Sequence, residues 1–246
     1  MFNIKELKSG LPKVCVPLLP RNFDELKQEL DVLNDVYYDI IEWRIDYYDD
    51  VENTNVLLEA LNYIRTQLPK CTLLVTFRTI FEGGNKITEH YQDIYQLLIK
   101  SNKIDLLDIE FSRGDGLFLD LLSLAHQHNV YVVASYHDFS STPSKQEMMF
   151  KFEKMATLQA DIFKLAVMPR NVEDVLRLLE VTYLANSKYK QPIVTMSMSK
   201  LGFISRMSGE LFGSAITFGS SKEASAPGQI SANDLHDLLQ LVHKGL

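Results

Sequence analysis

Two hydrophobic periods alternate along the chain. Short apolar, β-branched runs that read as strands fall at Val14–Leu19, Asp39–Ile45, Thr72–Phe77, Ile104–Ile109, Val130–Ser135, Ile162–Val167, Pro192–Met196 and Ser214–Phe218. Between them the period lengthens to that of amphipathic helices, at Phe23–Asp35, Asn53–Leu68, Glu89–Ser101, Leu117–Gln127, Ser144–Leu158, Val172–Ser187, a short one near Ser205–Leu211, and Ala232–Lys244. The strands recur every ~22–33 residues, about one βα unit. Strict alternation with eight strands predicts parallel pairing and closure into a (β/α)8 TIM barrel, an α/β fold. The barrel is read as a single domain over 1–246, with residues 1–13 as an N-terminal extension before strand one. A doubly wound open sheet is the alternative, but its glycine-rich first turn, G-x-G-x-x-G, is absent.

Composition narrows the class. The 246 residues suit one barrel of this type, and 46% hydrophobic with 23% charged residues is ordered and globular. No apolar run approaches the ~18 residues of a membrane span, and the start MFNIKELKSG lacks the apolar stretch of a secretory signal. Cys15 and Cys71 lie in strand-like runs and read as reduced thiols of a cytoplasmic protein. A net charge of −7 argues against nucleic acid or an anionic membrane as partner. An anionic small molecule would have to be held by a few local arginines.

A barrel places its chemistry at the C-terminal ends of the strands and in the loops that follow. The second strand ends EWRID, whose alternation puts Glu42, Arg44 and Asp46 on one face and Trp43 and Ile45 on the other. FRTIFEGGN after strand three adds Arg78 and Glu82 before a glycine pair suited to a tight turn. SYHDF puts His137 just past strand five. Strand six, DIFKLAVMP, carries Lys164 inside a run that otherwise reads as buried, with small Ala166 on the same face. An ammonium there is costly unless paired or discharged; snorkelling from a strand end is the bland alternative to a catalytic role. Strand seven supplies Met196 and Met198, then Arg206 opens a short helix, and strand eight ends at Phe218 before the loop SSKEASAPGQI. Charged and titratable residues thus recur at predicted strand ends, as one site requires.

In order and at one-barrel spacing, EWRID, FRTIFEGG, SYHDF, FKLAVMP, TMSMSKLGFISR and ASAPGQIS resemble the type I 3-dehydroquinate dehydratases. The likeness runs from about Pro12 to the C-terminus. It implies a (β/α)8 barrel, usually a homodimer, that dehydrates 3-dehydroquinate to 3-dehydroshikimate in the shikimate pathway of aromatic amino acid biosynthesis, without metal or organic cofactor. Lys164 matches the family's Schiff-base lysine, His137 its general acid/base and Glu82 the carboxylate that orients this histidine. Arg206 matches the arginine that holds the substrate carboxylate, and Ser225 and Gln229 match a loop that closes over the ligand. Glu42, Arg44 and Arg78 match residues that contact ring hydroxyls or one another, and Met196 and Phe218 match apolar walls. The chain departs from the commonest pattern at Pro17, where many members place a small polar residue.

Other constellations carry less. His126-Gln-His128 sits at a predicted helix end on the opposite rim, where residues two apart diverge. Ser197-Met-Ser-Lys200 fits S-x-x-K without its companion strings. A class I aldolase would share the barrel and a strand-six lysine, and a catalytically silent barrel could bind an anionic metabolite or a protein. SYHDF and ASAPGQ disfavour the first; the set Lys164, His137 and Glu82 disfavours the second.

Overall fold

The structure is a computed structural model that describes residues 4–8, 10–221 and 229–246. Eight parallel strands run β1 (Lys13–Leu18), β2 (Ile40–Arg44), β3 (Thr72–Thr76), β4 (Leu106–Glu110), β5 (Tyr131–Asp138), β6 (Ile162–Val167), β7 (Ile193–Ser197) and β8 (Ile216–Phe218). Their order is β7-β6-β5-β4-β3-β2-β1-β8. The outer layer is α1 (Phe23–Val32), α2 (Thr54–Gln67), α3 (Tyr91–Lys100), α4 (Asp115–Gln127), α5 (Lys145–Thr157), α6 (Val172–Lys188), α7 (Ile204–Met207), α8 (Gly209–Phe212) and α9 (Ala232–Gly245). The expected (β/α)8 TIM barrel is the observed fold. The short helix expected near Ser205–Leu211 is two one-turn pieces, broken at Ser208.

Period-2 alternation sorts each strand between two cores. Trp43, Ile45, Val75, Leu107, Ile109, Phe163 and Leu165 point outward and pack under the helices, while Cys15, Ile40, Leu74, Leu106, Val133, Ile162 and Val194 fill the barrel axis. Leu7, from a 3-10 turn over Ile4–Lys8, joins this inner cluster. Part of the predicted extension therefore packs with the barrel interior. Helix starts follow the local chemistry: Asn22, Asn53, Asn171 and Ser231 accept from first-turn N–H groups, and Ser144 with Glu147 forms a capping box.

At the N-terminal rim, aspartates secure strand beginnings. Asp39, Asp105 and Asp161 accept from the backbone N–H of Val14, Leu73 and Val132, each in the preceding strand, at 2.8, 2.9 and 2.7 Å. His126 also bonds Asp161, at 2.9 Å, and His128 bonds Asn102, so the two histidines of the H-x-H string face different partners. Pro17 costs the ladder little. Cys15 faces β8, accepting from Gly219 at 3.1 Å, and the residue two further on faces the same way, beyond the last β1–β8 pair at Cys15–Phe218.

The barrel closes unevenly. β8 pairs with β1 over three positions, but it joins β7 through a single bridge, Ile193–Ser214, with Ala215 donating to Ile193 at 2.7 Å. There the Ser214 hydroxyl substitutes for ladder: it accepts from Thr195 N–H at 3.0 Å and is 3.3 Å from the Thr195 carbonyl.

Candidate active site

Register brings the inward residues of the upper strand ends into layers. Arg44 pairs with Thr76 and Thr76 with Asp108; Glu110 pairs with Ser135 and Ser135 with Lys164; His137 pairs with Ala166 and Ala166 with Met196. A cavity at this end is lined by Glu42, Arg44, Arg78, Glu82, His137, Lys164, Met196, Phe218 and Gln229, among others. Nine of the eleven residues singled out from the sequence thus share one wall.

The amine of Lys164 is buried and paired, which answers the burial problem. Its Nζ donates to Asp108 Oδ2 at 3.0 Å, lies 3.7 Å from Glu42 Oε1, and sits 4.6 Å from the centre of the Phe218 ring. Glu42 is held in turn by the Thr76 hydroxyl at 2.7 Å. The nearest charges to this nitrogen are thus both carboxylates. Burial would raise the Asp108 carboxyl, but Arg78 and Lys164 together hold it down to about 2.

Arg78 ties the floor together. Its guanidinium contacts Asp108 at 2.7 Å, Ser135 at 2.9 Å and Glu110 at 3.1 Å, and lies 3.5 Å from Glu82. Glu110 also accepts from the Thr79 N–H and hydroxyl, each at 2.7 Å. Arg44 makes a two-pronged bond with Asp46, 2.8 Å on each arm. Alternation expects Asp46 on the same face as Glu42 and Arg44, open to the cavity. It is fully buried and not part of the cavity lining, and it also accepts from the backbone of Arg78 and Asn85.

His137 lies within β5, because that strand continues to Asp138 and pairs His137 with Ala166; the expected end at Ser135 was three residues early. Glu82 Oε2 accepts from the His137 backbone N–H at 3.0 Å and faces ring Nδ1 at 3.1 Å. Its other oxygen accepts from the Ser112 hydroxyl at 2.5 Å. Burial pushes the Glu82 carboxyl up to about 7 despite the pull of Arg78, with Glu110 adding to the rise. Burial, then Arg78, Lys164 and Arg44, keep the imidazole well below its ordinary range. With Glu82 ionised, Nδ1 carries the hydrogen and Nε2 presents a lone pair.

Arg206 is almost wholly buried near Phe218, with its guanidinium 3.5 Å from that residue's carbonyl, and it is not part of the cavity lining. Burial lowers it to about 10, which still leaves a cation at neutral pH. Ser225 lies outside the described residues. Sequence reading passed over Asp108, Glu110, Ser135, Ser112 and Phe139. The first two were legible: LLDIE alternates as EWRID does and puts both carboxylates on the inner face.

Four cations, Arg44, Arg78, Lys164 and Arg206, are set among five carboxylates, Glu42, Asp46, Glu82, Asp108 and Glu110. Such a site does not attract anions in general. A nucleophilic amine and a carboxylate-oriented imidazole in one buried cavity equip it for imine formation beside proton transfer.

The family model of type I 3-dehydroquinase matches residues 14–245. The 3-dehydroquinate dehydratases of Listeria welshimeri and Clostridium novyi are each 45% identical to this chain, over 96% of it and 94% of the relative in the first case, and 98% and 96% in the second. The crystal structure of the type I 3-dehydroquinate dehydratase from Clostridium difficile, with covalently modified comenic acid, superposes with a TM-score of 0.94 at 42% identity, covering 97% of this chain and 95% of that one. The Enterococcus faecalis 3-dehydroquinate dehydratase gives 0.89 at 36% identity, covering 98% and 99%. Among the described residues no helix is long and apolar enough to cross a membrane. The chain belongs to the type I 3-dehydroquinase family and is, in class, a hydro-lyase that dehydrates 3-dehydroquinate.

Proposed function

We propose that the dehydration runs through a Schiff base on Lys164, with His137 as general acid/base and Glu82 as the group that fixes its tautomer. The observation that carries this reading is the shared cavity: an amine paired with Asp108 stands in one pocket with an imidazole whose Nδ1 faces a carboxylate. The neutral amine attacks the substrate ketone, protonated His137 gives a proton to the carbinolamine oxygen so that it leaves as water, and an iminium forms. Asp108 and Glu42, placed for an ammonium, serve the iminium equally well, because both carry one positive charge on the same nitrogen. The iminium is the electron sink, so a modest base suffices and the chemistry calls for no metal or organic cofactor. His137 Nε2 takes the proton from the adjacent carbon and returns it to the departing hydroxyl, and hydrolysis frees the lysine.

Arg206 receives the substrate carboxylate, joined by Gln229 and Ser225; Glu42, Arg44 and Arg78 meet the ring hydroxyls, and Met196 and Phe218 wall the ring. The enzyme acts in the cytoplasm, in the shikimate pathway, as a homodimer. Val172, Leu176 and Tyr183 support the last point, since they are exposed along one face of α6.

The test is the rise of the product's enone absorbance after adding 3-dehydroquinate, with chelator present, followed by borohydride trapping and digestion. The expected adduct is on Lys164, absent in Lys164→Ala, which has no turnover. His137→Ala should lose turnover by about 100-fold or more yet still form adduct. An adduct on Lys200, or near-normal turnover without His137, would overturn the assignment.

A further inference from the structure

Glu82 is gripped from two sides. Oε2 meets the backbone N–H and ring Nδ1 of His137, whereas Oε1 takes the hydroxyl of Ser112, from the 3-10 turn Phe111–Arg113 that follows β4. The other groups around this carboxylate are Arg78 at 3.5 Å, Glu110 and Asp108 on β4, and, at longer range, Lys151 on α5 and the half-buried Tyr136 on β5. Arg78, Glu110 and Asp108 are buried, His137 and Lys151 are half-buried, and Ser112 is exposed as a residue while its bond to Glu82 is part-buried.

We infer that Ser112 is a positioning residue for the reaction: its hydroxyl holds Glu82 as an ionised acceptor aimed at His137 Nδ1, and so keeps Nε2 available as the base. The inference rests on the catalytic reading above. Its logic is a choice of tautomer. An ionised Glu82 can only accept, so Nδ1 must carry the ring hydrogen. A protonated Glu82 can donate to Nδ1, which moves the hydrogen to Nε2 and removes the base. Burial, then Glu110 and Asp108, push towards the protonated form, and Arg78 opposes them. A short bond from a neutral hydroxyl to the second oxygen adds to Arg78 without adding charge to the site, and it stops the carboxylate from rotating.

Ser112→Ala and Ser112→Thr test this. In the unaltered protein, kcat/KM should fall on the acid side as Glu82 protonates. In Ser112→Ala that limb should move up by about one pH unit, since a hydrogen bond to a charged group is worth about that much. Turnover should drop roughly 3- to 10-fold at pH 6.5 and stay within about 2-fold at pH 8.5. Ser112→Thr should restore the unaltered profile. Nitrogen-15 NMR of the His137 ring reads the tautomer without substrate: protonated Nδ1 in the unaltered protein at pH 7.5, and a growing share of protonated Nε2 in Ser112→Ala. An unmoved acid limb, an equal loss at every pH, or an unchanged ring spectrum in Ser112→Ala would overturn the inference. Absence of turnover in the unaltered protein would instead sink the catalytic reading, and the ring spectrum would still decide the part played by Ser112.

Discussion

Glu82→Gln should cripple the enzyme and stabilise it. Glu82 is 3% exposed, and burial moves its carboxyl from an ordinary 4.5 to about 7. The unfolded chain therefore gives up this proton near pH 4.5, while the folded chain keeps it until about pH 7. Between those values the folded state binds more protons, so this group's contribution to stability falls as pH rises. Above pH 7 the full cost applies, on the order of 3 kcal/mol. Glutamine has nearly the shape of the protonated acid and cannot ionise, so it escapes that cost. Its carbonyl can still accept from Ser112 or from His137 N–H, but its amide donates to Nδ1 and locks the imidazole into the Nε2–H tautomer. Thermal unfolding of both proteins between pH 4 and 8.5 provides the assay. The difference should be near zero at pH 4 and grow through pH 5–7 to a few kcal/mol, on the order of 8 °C in Tm for a domain of this size. Turnover at pH 8 should fall about 100-fold or more if the base is lost. A variant less stable than the unaltered protein at pH 8, or a difference that does not vary with pH, would refute the reasoning, because the ionised carboxylate would then be a net stabiliser.

Two further substitutions probe the scaffold. Gly83 has a φ of +77°, and a β-carbon there would come 2.2 Å from the Phe139 ring, so Gly83→Ala should cost about 1–3 kcal/mol. Calorimetry of a double-mutant cycle with Phe139→Ala should recover the steric part and leave the backbone part; strict additivity would show that the ring is not the obstacle. Tyr95 bridges the Phe77 N–H, at 2.7 Å, to the Asp108 carbonyl, at 2.6 Å, so Tyr95→Phe should cost about 1–3 kcal/mol in denaturant unfolding, and a loss under 0.5 would mean that the two backbone groups find other partners.

The barrel, and the strand end that gathers the candidate site, were legible because each depends on a short-range pattern. Alternation in EWRID separates Glu42 and Arg44 from Trp43, and it separates them correctly. The same rule does not reach the burial of Asp46 away from the cavity, because the chain turns out of β2 after Arg44 and alternation stops where the strand does. The end of β5 could not be found locally either. YHD carries no strand signal of its own; these residues stay extended because β6 pairs with them and Glu82, 55 residues away, accepts from His137. Ser112 belongs to the same class: nothing in FSR marks a partner for a glutamate 30 residues earlier.

The weak join between β7 and β8 also bears on how the molecule breathes. A closed barrel has no free edge, so it can shed a strand only by first breaking a ladder, and the ladder that needs least to break is the one held by a single bridge and the hydroxyl of Ser214. Sub-global opening would begin at this seam. The connection across it carries Arg206, and the connection after β8 leads to Gln229, so the two groups assigned to grip the substrate carboxylate flank the place where the cylinder is easiest to unzip. A ligand held by both would act as a clasp across the gap, and occupancy would slow the unzipping of the whole wall.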